Sequence, residues 1–346
     1  MNKRIILITE FLDPPYDEGI KKTVYNIFHE LDKSYNVKVI CRKGFQKENI
    51  CQVTTNKLFL SRTIRKQIHE FNPHTIIYFP FASATFASYL RLFILGKYAK
   101  KSKKVFISLQ PKQLKSWQKF LVNFFKPKFA ATPSPALHAF WQSLKVKSQL
   151  IPLYTNLENF SPVNKEQKTA LRKKYNLPED SFIITHMGHL NPGRNLESLI
   201  SLQQARKQVI IIGSSSTPKD SIGPDSLKQN LINNGIIIID QYIEKIEEIY
   251  QLSDAYIFPV IQKNSSIGLP LSILEARACG IPVITTDFGS VNHFLGNDYR
   301  NIYYSKPENF VKALEQLENE KKKDRQKTGV HKLNEKHLEH IHNMIN

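Results

Sequence analysis

Short runs of branched and aromatic apolar residues alternate along the chain with longer segments whose apolar positions recur every three to four residues. The short runs are typical of buried strands and the longer segments of helices packed on them, so the pattern predicts a parallel sheet covered by helices. In the first half, strands are predicted at 4–9, 37–41, 76–79, 105–109, 129–132 and 149–152, with helices at 23–32, 82–99 and 135–144.

The alternation stops near Pro162 and restarts after a polar, charged stretch at 164–180. Strands are then predicted at 182–187, 208–212, 236–239, 255–259 and 283–285, with helices at 196–205, 244–252 and 272–279. We therefore predict two doubly wound α/β domains, 1–162 and 163–320, followed by a helical tail at 321–346 that packs back toward the first domain. The predicted tail helices are 307–320 and 332–345. A site formed by two such domains is expected in the cleft between them, at the carboxyl ends of the strands.

Composition limits the class of protein. The chain has 346 residues, 41% of them hydrophobic and 23% charged, which suits two globular domains and excludes a disordered, collagen-like or disulfide-stapled protein. Cys41, Cys51 and Cys279 form no C-x-x-C pair, so we expect reduced, cytosolic thiols. Only four apolar residues, 5–8, follow the basic start, whereas a signal peptide needs ~7–15 and a membrane-spanning helix ~20. A cytoplasmic chain is predicted.

Charge is distributed unevenly. The formal net charge is +19, and residues 1–160 hold 26 of the 49 Lys and Arg but only 9 of the 30 Asp and Glu. No acidic residue lies between Glu70 and Glu158. Such a surface attracts anions, whether lipid headgroups, nucleic-acid phosphates or an anionic substrate.

One segment in this basic region, 114–126, has the pattern of an amphipathic helix. Its apolar face is predicted to hold Leu114, Trp117, Leu121, Phe124 and Phe125, with Lys115, Lys119, Asn123 and Lys126 largely opposite. The helix either lies in a membrane interface or packs its apolar face on its own domain and leaves the lysines solvated. The acid-free surroundings favour an anionic membrane surface. No nucleic-acid-binding motif accompanies the charge, so nucleic acid is not expected as a partner.

The chain contains no G-x-G-x-x-G after a strand, no P-loop, no H-E-x-x-H and no G-x-S-x-G. It does contain a run at 265–283 that reads as a loop, a helix beginning near 270–272 and a Gly-x-Pro turn into a strand. Free N–H groups on the first helical turn, together with the helix dipole, can bind a phosphate or diphosphate. Glu275 lies one turn inside, where its carboxylate can accept two hydroxyl groups of a ribose.

This run resembles the donor-binding signature of the family-4 glycosyltransferases (glycosyl transferases group 1), retaining enzymes of the GT-B fold. Four other stretches match in the same order across nearly the whole chain: 188–194, 151–162, 249–259, and the first strand with Pro14-Pro15 and Gly19. The resemblance implies two Rossmann-like domains, the first binding the acceptor and the second binding a nucleotide sugar.

The resemblance also implies roles for individual residues. Glu275 holds the nucleotide ribose, and Arg194, where the family has Lys, neutralises the donor diphosphate; an arginine fork suits that group well. These two are the implied catalytic residues, and the alternatives are a solvated loop charge for Arg194 and a helix-surface carboxylate for Glu275. The remaining residues implied for the donor site are Gly19, Gly188, His189, Tyr242, Ile243, Ile267, Gly268, Leu271 and Ser272.

Several positions depart from the family pattern. Ile267 replaces the glutamate that contacts the donor sugar, His189 replaces a basic arginine, and Gln110, on the acceptor side, replaces a histidine that faces the sugar. Tyr154 replaces a glycine of the segment between the domains. The nucleotide side is kept while the sugar side is altered, which puts catalytic competence in question. Four acids near the first strand are candidates for a general base, none of them assigned: Glu10, Asp13, Asp17 and Glu18.

Two functional hypotheses follow. The first is a retaining, metal-independent glycosyltransferase of polysaccharide biosynthesis that uses a UDP- or GDP-linked sugar and no other cofactor. Its acceptor is a lipid-linked or cell-envelope glycan at the cytoplasmic membrane face, where the protein is peripheral. The second is a non-catalytic GT-B protein that binds a nucleotide or serves as the partner subunit of a transferase complex, and Ile267 is its main support.

Overall fold

The computed structural model describes residues 3–16, 18–44, 49–214, 225–262, 265–296, 301–320 and 330–346. The chain forms two compact units: Met1–Tyr154 together with Asn334–Asn346 (unit 1), and Thr155–Leu333 (unit 2). The predicted domain boundary at residue 162 falls within unit 2, eight residues after its start. Asp17, one of the candidate acids, and residues 321–329 of the predicted tail lie outside the described residues.

Unit 1 is a parallel sheet with helices between its strands. Its elements are β1 (Arg4–Leu12), α1 (Gly19–Asp32), β2 (Asn36–Gly44), β3 (Ile50–Gln52), α2 (Arg62–Phe71), β4 (Thr75–Tyr78), α3 (Phe86–Tyr98), β5 (Lys103–Ile107), α4 (Ser116–Phe125), β6 (Phe129–Thr132), α5 (Pro135–Ser143) and β7 (Lys147–Leu150). The strand order is β3-β2-β1-β4-β5-β6-β7. The chain therefore builds outward from β1 in one direction and then restarts at β4 in the other, which is the doubly wound topology.

Unit 2 repeats this plan. Its elements are α6 (Lys165–Lys174), β8 (Phe182–Gly188), β9 (Lys207–Gly213), α7 (Asp225–Asn233), β10 (Ile237–Ile239), α8 (Ile246–Leu252), β11 (Ala255–Phe258), α9 (Leu271–Ala278), β12 (Val283–Thr285), α10 (Val291–Leu295), β13 (Ile302–Tyr304) and α11 (Phe310–Asn319). The last helix, α12 (Val330–Ile345), begins in unit 2 and lies mostly in unit 1. The parallel strands run in the order β10-β9-β8-β11-β12-β13, so the direction of winding reverses between β8 and β11. The predicted fold class, two Rossmann-like α/β domains, is confirmed.

Some predicted elements differ from the structure. The α-helix expected at 196–205 is a 3₁₀ helix, Leu196–Leu202, whose three buried leucines recur every third residue, the period of that helix. The helix expected from residue 82 begins at Phe86, because the Thr85 side chain caps it by accepting from the Ser88 N–H. The pattern missed six elements: α2, β3, α6, α7, α10 and β13.

Helix α4 exposes part of the apolar face that the sequence predicted. Val122, absent from the predicted face, is its one fully buried residue, and Leu114 and Phe125 pack partly buried against the core of unit 1. Trp117 and Phe124 are exposed instead, and so is Phe120, which the prediction left off this face. The apolar side chains therefore divide between the core and the surface, so neither of the two alternatives describes the whole helix.

Glu10, at the carboxyl end of β1, is buried in an ion pair. Its carboxylate accepts hydrogen bonds from the Tyr78 hydroxyl and the Phe81 N–H, both at 2.8 Å, and forms a short contact with the Arg91 guanidinium. The other two described candidate acids also have partners. Asp13 lies 3.1 Å from the ammonium groups of both Lys21 and Lys43, and Glu18 caps α1 by accepting from the backbone of its first turn. All three carboxylates thus hold unit 1 together.

Asp254 fastens α6 to the sheet of unit 2. Its oxygens lie 2.6 Å from Lys168 Nζ and from Arg172 Nη2, and one of them accepts from the Ile183 N–H at 2.7 Å. Burial by itself would raise the pKa of Asp254, but the two cations and this hydrogen bond hold it below its ordinary value.

We expect the Asp254→Asn substitution to lower the free energy of unfolding of unit 2 at pH 7. In acid, the free energies of unfolding of the variant and the wild type should become similar. A carboxyl with a depressed folded pKa contributes stability that is present above its unfolded pKa of ~3.9 and is lost as the pH falls through the folded value. Urea denaturation at a series of pH values measures the difference. Asp240→Asn is the control, because the exposed pair of Asp240 with Lys228 should change stability little. A wild-type-to-Asn difference that is the same at pH 7 and pH 3 contradicts the linkage.

Candidate functional site

Strand β8 ends in a glycine, and the guanidinium of an arginine packs against it. Gly188 has φ +154°, a backbone conformation that residues other than glycine rarely adopt. A Cβ atom at this position would lie 2.5 Å from Nη1 of Arg194. Because β8 and β11 are the strands between which the winding reverses, this is the edge at which doubly wound sheets bind ligands.

Arg194 is held in place by the loop that carries it. It ends a short 3₁₀ helix, Pro192–Arg194, and Asn195 follows in the left-handed conformation, φ +56°. The Asn195 amide donates to the Pro259 carbonyl at 3.3 Å, tying this loop to the end of β11. On the other side a Cβ atom at Gly193 would lie 2.2 Å from Ser265 Oγ, so the loop also lies against the segment that precedes α9.

The guanidinium of Arg194 is buried, and it has no counter-charge among the described residues. The residue is 7% exposed, its Nε has no hydrogen-bond partner, and no carboxylate in the described part of the chain forms an ion pair with it. Burial lowers the pKa of Arg194 to about 10, so the group stays cationic at neutral pH. A buried, unpaired charge is unfavourable by itself, which makes the position suited to an anion supplied from outside the protein. The alternative of a solvated loop charge is thereby wrong.

His186 lies next to this cation and is neutral. It is fully buried, and burial together with the positive charge of Arg194 lowers its pKa to about 3. Its Nδ1 lies 2.9 Å from the Ile257 carbonyl, which fixes the proton on that nitrogen, and Nε2 has no hydrogen-bond partner in the described residues. The neutral ring therefore adds no second positive charge beside Arg194. The sequence did not single out His186, because a histidine inside an apolar strand gives no signal of its own.

Glu275 is buried and paired with a tyrosine. It is 4% exposed, and the Tyr250 hydroxyl donates to its Oε2 at 2.8 Å. Burial and the adjacent carboxylate raise the pKa of Tyr250 well above its ordinary value, so Tyr250 stays a neutral donor. The alternative of a helix-surface carboxylate is wrong for Glu275. Tyr250 lay in one of the matched stretches, but its contact with Glu275 was not predicted.

The first turn of α9 presents its N–H groups without a side-chain cap. Pro270 precedes the helix, has no N–H of its own and offers no side-chain acceptor, so the cap position leaves the first-turn N–H groups without a side-chain cap. Leu271 and Ser272 are the first two residues of this turn. Gly268 lies just before it, fixed by the Ser290 N–H, which donates to its carbonyl at 2.8 Å, and Ile267 beside it is partly buried.

The other implied donor-site residues of unit 2 follow neighbouring strands. His189 is partly buried directly after β8, and Tyr242 and Ile243 follow β10, with Tyr242 half exposed. The ends of β8, β9 and β10 lie close together, since a Cβ atom at Gly213 would meet both Leu190 and Asp240 within 3.3 Å. Gly19 and Gln110 lie in unit 1, at the start of α1 and after β5.

Removing the Tyr250 hydroxyl is expected to leave a buried carboxylate short of one donor. We predict that Tyr250→Phe lowers the free energy of unfolding of unit 2 by about 1–3 kcal/mol, the usual range for such a loss. A double-mutant cycle with Glu275→Gln, measured by urea denaturation, isolates the pair and should give a coupling of at least about 0.5 kcal/mol. Strictly additive effects of the two substitutions would show that the hydrogen bond between Tyr250 and Glu275 does not contribute to the free energy of unfolding.

Two absences concern the described residues alone. In that part of the chain, no three His, Cys, Asp or Glu side chains lie close enough to hold a metal ion. No helix among the same residues is both long and apolar enough to cross a bilayer.

The chain resembles known proteins in sequence and in fold. It is 26% identical over 163 residues to alpha-galactosylglucosyldiacylglycerol synthase of Streptococcus pneumoniae, which covers 44% of this chain and 41% of that protein. It is also 26% identical over 190 residues to UDP-Gal:alpha-D-GlcNAc-diphosphoundecaprenol alpha-1,3-galactosyltransferase of Escherichia coli, covering 51% of this chain and 46% of that one. The chain thus spans less than half the length of these curated relatives.

A solved structure matches nearly from end to end. Anabaena Alr3699/HepE in complex with UDP-glucose superposes with a TM-score of 0.73 over 98% of this chain and 99% of that one, at 12% sequence identity. The sequence profile of the family described as glycosyl transferases group 1 matches residues 167–330, which lie within unit 2. The resemblance inferred from the motifs is confirmed: residues 167–330 are a glycosyl transferases group 1 domain, in a chain with the GT-B fold.

Proposed function

We propose that the protein is a glycosyltransferase that moves a sugar, with retention, from a UDP- or GDP-linked donor to a lipid-linked or cell-envelope glycan at the cytoplasmic membrane face. The single observation that carries the proposal is the buried guanidinium of Arg194, which forms no ion pair with any residue that the structure describes and lies against Gly188 at the ligand-binding edge of the sheet. A diphosphate supplies the missing negative charge.

In this proposal two groups stabilise the leaving diphosphate. Arg194 donates from its guanidinium, and the uncapped first turn of α9 donates from the N–H groups of Leu271 and Ser272. Negative charge accumulates on the diphosphate as the sugar departs, so fixed donors at that place lower the barrier to transfer. Metal-independence stays a prediction of this arrangement.

The nucleoside is held by the other implied residues. One oxygen of Glu275 accepts from the Tyr250 hydroxyl, which orients the carboxylate. The ribose hydroxyls donate to this carboxylate. Tyr242 and Ile243 border the base, while His189, Ile267 and Gly268 lie toward the sugar. The roles of Gly19 on the donor side and of Gln110 on the acceptor side stay predictions from the resemblance.

The proposed acceptor rests on relatives. One relative is named as a synthase of alpha-galactosylglucosyldiacylglycerol, a lipid-linked product, and another as a galactosyltransferase to GlcNAc-diphosphoundecaprenol, a lipid-linked acceptor. The solved structure bound to UDP-glucose supports a nucleotide sugar as donor. An acceptor in an anionic bilayer also accounts for the excess of Lys and Arg over Asp and Glu in residues 1–160.

The proposal is tested by a ligand panel on the full chain. UDP, GDP, ADP and their common sugar conjugates are added singly, and the rise in melting temperature and the heat of binding are measured. A ligand at 100 times its dissociation constant stabilises the folded state by ~2.7 kcal/mol, so a true donor is readily visible. One nucleotide sugar that binds more tightly than its bare nucleotide, and is consumed when lipid acceptors are added, supports the transferase.

Equal binding of the nucleotide and its sugar conjugate, with no turnover, favours the non-catalytic nucleotide-binding alternative. Ile267 is the residue to examine in that case, because an isoleucine cannot accept hydrogen bonds from sugar hydroxyls. Absence of binding by every member of the panel overturns both hypotheses.

A further inference from the structure

Four exposed aromatic side chains form a continuous apolar strip on unit 1. Trp117, Phe120 and Phe124 of α4 are 54%, 65% and 65% exposed, and Phe93 of α3 is 39% exposed. We call these four residues the aromatic ridge. Large aromatic side chains are usually covered, and a group of them left in water marks a binding surface.

Two rings of the ridge are supported from below. Trp117 packs edge-on against Phe86 at 5.4 Å between ring centroids, and Phe93 packs edge-on against Phe125 at 5.1 Å. Phe86 and Phe125 in turn pack against the core of unit 1. Phe120 and Phe124 contact each other at 5.6 Å. The folded core therefore holds part of the ridge at the surface.

Positive charge accompanies the ridge, and no acid is near it in sequence. On α3, the ammonium of Lys97 lies 4.9 Å from the centre of the Phe93 ring. With 100° between successive residues of a helix, the exposed Lys119 of α4 lies on the side opposite Trp117 and Phe124. The whole stretch from 71 to 157 contains 13 Lys and Arg and no Asp or Glu. An apolar surface in a region of this charge is complementary to a surface that is apolar inside and anionic at its rim.

The geometry points to one occupant: we infer that the aromatic ridge inserts into the interface of an anionic lipid bilayer, with Lys97 at the headgroups. Residues 117, 120 and 124 lie in a row along the axis of α4, so the helix lies parallel to the bilayer plane, about 10 Å of it in contact. Tryptophan at the edge of such a row matches the preference of its indole ring for the interface. A nucleic acid fits less well, because no nucleic-acid-binding motif accompanies the ridge.

This inference deepens the proposed function, on which it rests for its purpose: a lipid-linked acceptor lies in the surface that the ridge binds. The binding itself needs no donor. The variant Arg194→Met should bind vesicles as wild type does, so failure of nucleotide binding and failure of membrane docking are separate results.

The test is sedimentation of the full chain with vesicles of phosphatidylcholine containing 30% phosphatidylglycerol. Of the two tryptophans, Trp141 is fully buried, so a blue shift of the emission on adding vesicles reports on Trp117. We expect binding and a blue shift with the anionic vesicles, and at least about 10-fold weaker binding with pure phosphatidylcholine.

Two sets of variants separate the apolar and the charged contributions. Phe120→Ser with Phe124→Ser should weaken binding about 10-fold or more, since two apolar rings are lost from the interface. The matched control is Leu60→Ser with Ile232→Ser, which removes two exposed apolar side chains elsewhere. Neutralising Lys97 to Gln should weaken binding to anionic vesicles about 5-fold, whereas the same change at the exposed Lys312 of unit 2 alters net charge equally and should have little effect.

Circular dichroism of each variant confirms that it is folded. Unchanged vesicle binding by the double phenylalanine variant, or equal losses from Lys97→Gln and Lys312→Gln, overturns the inference. Binding to a DNA duplex or single strand that depends on the same ridge residues, without binding to vesicles, also overturns it and reassigns the surface to nucleic acid.

Discussion

An Arg194→Met variant is expected to melt at or slightly above the temperature of the wild type in the absence of ligand and to lose the stabilisation that a nucleotide sugar gives the wild type. The first effect follows because methionine fills a similar volume without placing an unpaired charge in the interior. The second follows because charge-assisted hydrogen bonds to a diphosphate contribute about 1.5–3 kcal/mol each, so the loss of a two-pronged contact weakens binding about 100-fold or more.

Calorimetry and thermal denaturation of the same samples measure both effects. Arg194→Lys keeps the charge but loses the planar fork and should retain part of the affinity. Arg206→Met, at an exposed arginine of unit 2, should leave affinity unchanged. An Arg194→Met protein that binds as tightly as wild type would falsify the role of the guanidinium. One that no longer folds would instead show that the guanidinium contributes to the stability of unit 2.

The second large effect concerns unit 1. Replacing Arg91 by Leu leaves Glu10 as a buried carboxylate without its counter-charge, and breaking a buried ion pair in this way destabilises a protein by about 3–5 kcal/mol. Urea denaturation followed by tryptophan fluorescence reports on unit 1, because Trp117 and Trp141 both lie there. The exposed pair of Lys66 with Glu70 gives a matched control, and Lys66→Leu should change stability by less than about 1 kcal/mol.

Combining Arg91→Leu with Glu10→Gln should restore much of the lost stability. The neutral amide still accepts from the Tyr78 hydroxyl, and no isolated charge remains in the interior. If the double variant is less stable than either single one, the Glu10 carboxylate has a stabilising partner besides Arg91, and the ion pair does not account for the effect.

The strands could be predicted because parallel sheets covered on both faces need continuous apolar runs, and β1 and β9 are such runs. Helix α6 was missed because it buries only Arg172 and so lacks an apolar face. Its signal was at its beginning, where Asn164 and Gln167 form a reciprocal cap. End-capping pairs therefore indicate polar helices that periodicity does not.

The candidate site was predictable in part. The place of Glu275 one turn into a helix indicated that residue, and the resemblance to the family indicated Gly188 and Arg194. The burial of the arginine, however, depends on contacts made by the loop that carries it, such as that of Gly193 with Ser265. The tyrosine that binds Glu275 and the arginine that binds Glu10 lie 25 and 81 residues away in sequence. A single sequence contains no sign of such pairings, which is why Glu10 resembled a free acid.

Unit 1 is made from two separated pieces of chain, and this has a consequence for how the protein is made. His337 of α12 is fully buried, and its Nδ1 lies 2.7 Å from the Pro152 carbonyl; the Tyr35 hydroxyl likewise meets Nδ1 of His342 at 2.7 Å. These contacts form only after the whole of unit 2 has been synthesised. On the ribosome, where domains fold as they emerge, unit 2 is continuous and can complete its fold first, while unit 1 waits for its last helix. The half of the protein that is translated first is thus the half that is finished last.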